Sequence, residues 1–177
     1  WTLSRGLGDV YKRQQKWRYE RKLRGLPNNL KRILIDNTSL TKRIIGNKSN
    51  HVKLISSHIS LTSRFDNSSK KYSLIRKVEL KGNLDKSIKA VSYTPVHTIK
   101  GSINHIKYLK EKSLATILFR NHSFIKYAIN YCLREDDVLR VTLFKKNKTI
   151  IRVEEAFPIK NNYDELSIID CRKNLIN

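Results

Sequence analysis

The chain is short of the residues that build most catalytic and metal centres. Its two cysteines, Cys132 and Cys171, lie far apart among 177 residues. Neither a zinc-type spacing nor a redox pair is present, and two reduced thiols in a reducing compartment are the expectation. His51, His58, His97, His105 and His122 show no ligand spacing, so no metal site is expected. No apolar run approaches the roughly 20 residues a membrane-spanning helix needs, and no basic start followed by an apolar centre marks a signal peptide. Gly-rich phosphate loops, a nucleophile elbow and a helix-borne histidine pair are all missing. A Cys–His dyad on Cys132 is disfavoured because Cys132 lies beside an alternating strand, where packing is the expected role. What is left is a site made of ordinary side chains, without a cofactor.

Acidic residues are also scarce, 15 against 37 Lys and Arg, for a net charge of +22. Such a field draws anions and invites a nucleic-acid reading. The lysines are spread along the chain, however, and no RNP-like, zinc-finger or basic-block signature accompanies them. Abundant Lys, Asn and Ile, all spelled by A/T-rich codons, account for the charge without a nucleic-acid partner. The length suits one domain with a real core. Residues 1–14, which include SRGLGDVYKRQ (Ser4–Gln14), resemble a translated sequencing adapter, and the absence of methionine fits a read-through fragment. They are set aside as non-native, and Gly-Leu-Gly within them is no phosphate loop. Residues 15–177 are read as a single domain, with a tail at 160–177 that has no clear period.

From Gly25-Leu26-Pro27 onward, Leu30, Ile33 and Leu34 fall at helical spacing, and Thr38 or Ser39 caps a second short helix carrying Leu40 and Ile44. Residues 46–50 read as a turn. Residues 52–63 alternate loosely, with Val52, Leu54, Ile59 and Leu61, as one strand or two short ones; a polar loop follows at 64–71. Strands at 72–80 and 87–95 form a hairpin around Lys81-Gly82-Asn83. Helical patterns at 103–109 and after Ser113, a capping residue, precede a strand at 124–133 in which Ile125, Tyr127, Ile129 and Tyr131 alternate. Strands at 138–144 and 149–157 close the domain as a second hairpin. The fold class is therefore α+β, a mainly antiparallel sheet of about six strands with helices over one face.

Two charges break this pattern. Leu74, Arg76, Val78 and Leu80 form one face of a strand, and Ile151, Val153, Glu155 and Phe157 form one face of another. Successive strand side chains point to opposite sides, so Arg76 and Glu155 point into the core. An unpaired buried ion costs several kcal/mol. Either the two pair with each other, or they hold a polar ligand between them. With the helix start at Ser113–Leu114 supplying free backbone N–H groups, the set suits a ligand with a carboxylate at one end and an oxygen at the other.

The order of the pieces resembles the chorismate–pyruvate lyase family, including its archaeal and plastid-type relatives. The matching segments are SLTKRI (39–44), LIRKVEL (74–80), AVSYTPV (90–96), SLATILFR (113–120), the strand after it, and the hairpin closing on EEAFP (154–158). Together they cover about residues 26–158. The resemblance implies a chorismate lyase-like fold and a cofactor-independent conversion of chorismate to 4-hydroxybenzoate and pyruvate. The bacterial cytoplasm or plastid stroma would be its compartment, and ubiquinone synthesis one pathway its product could feed. It implies that Arg76 and the Leu114 N–H bind the ring carboxylate, that Glu155 acts at the 4-position, and that Leu40 belongs to a lid. Glu154 is the alternative acid, but it shares a face with Arg152, so strand phase selects Glu155. Some relatives carry an arginine where Val91 stands here, which leaves the second carboxylate of chorismate without an assigned cation; Arg120, Arg140 or a nearby lysine are the candidates. Competing readings are a catalytically inactive effector-binding domain of the same fold, for aromatic carboxylates, and a basic RNA-binding protein. The expected geometry is that Arg76 and Glu155 face each other across a pocket without touching.

Overall fold

Period-two alternation runs through most of the chain after Val52, and it builds a sheet. The computed structural model describes residues 23–36, 40, 52–65, 70–81, 84–119 and 124–163. Its strands are β1 (Val52–Thr62), β2 (Lys71–Leu80), β3 (Ile88–Pro95), β4 (Ile125–Leu133), β5 (Asp137–Lys146) and β6 (Thr149–Pro158). They form one sheet in the order β1-β2-β3-β6-β5-β4, antiparallel at every pair. The α+β class and the six antiparallel strands are thus as expected. Two three-stranded meanders meet where β3 pairs with β6, and the β3-to-β4 crossover carries the helical segments. The second early helix from Thr38 or Ser39, apart from Leu40, lies outside the described residues. So do residues 1–14, the turn at 46–50, Gly82 and Asn83 of the first hairpin turn, and the tail beyond Tyr163.

Helix α1 (Asn28–Ile35) buries Leu30, Ile33 and Leu34, the three positions its period selects. Gly25, at φ +88°, makes the backward turn that precedes Pro27 at the N-cap. The crossover has short 3-10 helices at Val96–Thr98 and Gly101–Tyr108, the latter overlapping the helical pattern expected at 103–109. Helix α2 (Ala115–Leu118) follows and is a single turn long. Leu114 takes its N-cap position, one residue later than Ser113, yet Ser113 Oγ still accepts the Ala115 N–H at 3.1 Å.

One face of the sheet carries the core, and polar side chains divide that core in two. Leu30, Ile33, Leu34 and Leu40 pack with Val78, Ile88, Val138 and Phe157. Ile103, Ile106, Leu114 and Leu118 pack with Leu74, Phe144, Ile151 and Val153. Between the clusters, the register aligns Arg76 with Ser92, and Ala90 with Glu155 and Arg140, on this same face. Thr142, buried opposite Val153, completes the polar seam. Hydrophobic clusters cannot close over ions without stranding them, so a cavity lies over the seam.

The loose alternation of β1 has a geometric cause. A register shift between Leu54 and Ser56 moves the inward set from Val52 and Leu54 to Ser57, Ile59 and Leu61. Beyond the helices that set is uncovered, and Ile59 is 55% exposed. Ile151→Ala, at a fully buried position, is expected to lose about 2–4 kcal/mol of stability in urea unfolding. Ile59→Ala is expected to stay within about 0.5 kcal/mol. Equal costs at the two positions would contradict this division of the inner face.

Candidate functional site

Arg76 projects from the middle of β2 into the seam and is 4% exposed. Its Nη2 donates to the carbonyls of Lys110 and Lys112, both at 2.7 Å. Those bonds hold the turn that leads into α2, in which Lys110 adopts φ +43°. No carboxylate pairs with Arg76 among the described residues, and its buried Nε has no hydrogen-bond partner. Burial lowers its pKa. The turn it holds presents the Leu114 N–H, which likewise makes no hydrogen bond among the described residues. Two donors, one of them cationic, are therefore left without acceptors among the described residues.

Glu155 does not pair with Arg76. Its Oε2 accepts Arg140 Nε at 2.8 Å, with the two side chains only 12% and 6% exposed. Arg140 also donates through Nη1 to the carbonyls of Ile33 and Leu34, at 3.2 Å each. These are orphan acceptors at the C-terminus of α1, where a cation is favoured. Tyr131 Oη donates to the Leu34 carbonyl at 2.7 Å. The Arg140 guanidinium lies over the Phe157 ring, 4.9 Å from its centroid. Burial alone would favour neutral Arg140, but the adjacent Glu155 carboxylate outweighs it and pushes the pKa up. Of the two expectations for the misplaced charges, direct pairing is corrected: each has its own partners.

Glu154 turns to the reverse face. Its Oε1 accepts Arg152 Nε at 2.8 Å and lies 4.0 Å from Arg64 Nε. Beside them, burial first and the Glu154 charge second raise the pKa of Tyr93. Val91 is paired with Glu154 and Lys77 and faces the same way, while its neighbours Ala90 and Ser92 line the cavity. An arginine at position 91 would not reach this cavity from that side of the sheet. Arg120 lies outside the described residues.

Arg76, Glu155, Leu114 and Leu40 all line one cavity of about 650 Å³, its open mouth included. Apolar walls come from Val78, Leu118, Phe144 and Val153, and polar ones from Ser92, Ser113 and Thr142. The cavity has two further cations, Arg140 and Lys126. Lys126 reaches it because β4 has a register shift between Lys126 and Ala128, pairing Lys126 with the buried Phe144. The strict alternation expected for Ile125, Tyr127, Ile129 and Tyr131 therefore fails at its start. Ile125 and Tyr127 are 62% and 58% exposed, and the lysine between them points inward. Cys132, expected to pack, is exposed on the same strand.

Comparison with protein-family models and with curated proteins gives no match for this chain. Among the described residues no helix is long and apolar enough to cross a membrane. No three His, Cys, Asp or Glu side chains group there in a way that could hold a metal ion.

Arg140 is the structural member of the site. Arg140→Met removes the carbonyl bonds at the end of α1 and leaves Glu155 a buried, unpaired anion. A loss of about 3–5 kcal/mol is expected in chemical unfolding, and a loss below about 1 kcal/mol would mean that the pair does not organise the seam.

Proposed function

We propose that the protein is a cofactor-independent chorismate–pyruvate lyase, producing 4-hydroxybenzoate and pyruvate. The observation that carries this reading is a buried guanidinium that has no counter-ion among the described residues and shares one cavity with a carboxylate held elsewhere. Arg76 lacks an anion among the described residues, Glu155 is fixed by Arg140, and both line the cavity over the seam. A ligand with a carboxylate at one end would supply the missing acceptor. The order of sequence segments that resembles the lyase family supports the same assignment of residues.

Chorismate carries a carboxylate on C1, an enolpyruvyl ether on C3 and a hydroxyl on C4. In the elimination the C3–O bond breaks and its electron pair leaves with the enolpyruvyl oxygen. The hydrogen on C4 departs as a proton, which completes the aromatic ring, and a proton delivered to the enolpyruvate methylene gives pyruvate. Atoms and electrons balance without an oxidant or a metal. Aromatisation drives the step, so the work left to the protein is orientation and charge stabilisation.

Arg76 Nε–H and the Leu114 N–H donate to the ring carboxylate, a charge-assisted pair of bonds. Glu155 faces the 4-position and accepts or relays the proton there. Its orientation is set by Arg140, which occupies Oε2; Oε1 is the oxygen that would act on the ligand. Leu40, buried against the first cluster, and Leu118, buried in the second, close the ring space against water.

Purified protein incubated with chorismate is expected to release pyruvate and 4-hydroxybenzoate in equal amounts without added metal. Glu155→Gln and Arg76→Ala are each expected to lower kcat/KM by about a hundredfold or more. Glu154→Gln, on the reverse face, is expected to keep activity of the wild-type order. Release of neither product by the wild type would overturn the reading. Thermal stabilisation by 4-hydroxybenzoate in that case would identify an effector-binding domain, and salt-dependent RNA binding that survives Arg76→Ala would identify a nucleic-acid protein.

A further inference from the structure

Chorismate is a dianion, and Arg76 with Leu114 accounts for one carboxylate. Among the described residues, the charged groups on the cavity are Arg76, Arg140, Lys126 and Glu155, three cations against one anion. Arg140 is already committed, through Nε to Glu155 and through Nη1 to two carbonyls of α1. Lys126 is not. Its Nζ makes one long hydrogen bond, 3.4 Å to the Asp36 carbonyl, and stands 5.9 Å from the centroid of the Phe119 ring. In the strand order β2-β3-β6-β5-β4, Arg76 and Lys126 sit on the outer two of five strands. At about 4.8 Å per strand, roughly 19 Å separates their backbones. Both side chains nevertheless line the same cavity, from opposite edges of this five-strand span.

We propose that Lys126 is the specificity-determining anchor for the second carboxylate, the one on the enolpyruvyl side chain, and that the cavity is built for dicarboxylates. This deepens the lyase reading and rests on it for the identity of the substrate. The register shift in β4 serves the site directly, since an unbulged strand would turn Lys126 to the reverse face and place Tyr127 inward.

The surroundings of Lys126 also give the site a pH dependence. Arg140 from β5, Glu155 from β6 and Asp36 after α1 are the charged groups that act on it, and the Phe119 ring packs beside it. Burial first, then repulsion from Arg140, hold its pKa down to about 8, against the opposing pull of Glu155 and Asp36. A dianion binds the ammonium form. The contribution of Lys126 to binding is therefore complete well below pH 8 and is lost as pH rises through that value.

The test compares Lys126→Met and Lys126→Arg with the wild type. Lys126→Met is expected to raise KM for chorismate about tenfold or more, and Lys126→Arg to restore most of it. The affinity for 4-hydroxybenzoate, which has one carboxylate, is expected to change less than about twofold. Wild-type KM should climb above pH 8, and Lys126→Met should lack that climb. A binding arm is independent of turnover: wild type is expected to prefer isophthalate to benzoate in calorimetry, and Lys126→Met to lose the preference. An unchanged KM for chorismate in Lys126→Met, or equal weakening of monocarboxylates and dicarboxylates, would overturn the anchor. Loss of the isophthalate preference in a protein that turns over no chorismate would uphold the anchor while the lyase assignment falls.

Discussion

The contact between Arg140 and Glu155 fixes how the two halves of this molecule meet. It links β5 to β6 at the centre of the inner face and, through the Ile33 and Leu34 carbonyls, secures the end of α1 above them. With Arg76 on β2, two strands from Glu155 across β3, these groups form a polar line that neither apolar cluster can cover. The helical crossover settles on one side of the line and α1 on the other. The cavity is what remains between them. An apolar side chain at each of these positions would let the two clusters merge at no cost in stability, and would erase the site.

Strand phase carried the sequence reading a long way, because it depends only on alternation. It turned Arg76 and Glu155 inward and sent Glu154 to the reverse face beside Arg152, which is where the structure has them. It failed wherever the sheet inserts a residue. The shift in β4 exposes Ile125 and Tyr127 and turns Lys126 inward, and no property of those side chains announces it. Arg140 was hidden for a different reason. On β5 the opposite set, Leu139, Val141 and Leu143, is the more apolar one, so hydrophobicity favours the wrong face. The partner of Glu155 follows only from the β5–β6 register, and register is a tertiary property. Fold class was legible from spacing, but the identity of each ion's partner was not.

The charges suggest a division of labour at two length scales. The net charge of +22 is a diffuse field, screened by salt within about 10 Å at 0.1 M, and it selects anions in general. Inside the cavity, the described residues place three cations and one carboxylate in a partly buried space, where position counts for more than total charge. Among the described residues Arg76 is held by carbonyl oxygens alone, which orient a guanidinium without neutralising it. A carboxylate in the same role would leave nothing for a ligand to complete.

The central claim is that the buried guanidinium of Arg76 awaits a ligand carboxylate. The most direct measurement is the 15N-resolved side-chain Nε–H resonance of Arg76 during titration with 4-hydroxybenzoate. The account predicts a saturable downfield proton shift at Arg76 as Nε–H gains a charged acceptor, with Arg152 on the reverse face unmoved. An Arg76 resonance that stays in place through millimolar ligand, or one that moves no more than that of Arg152, would contradict it.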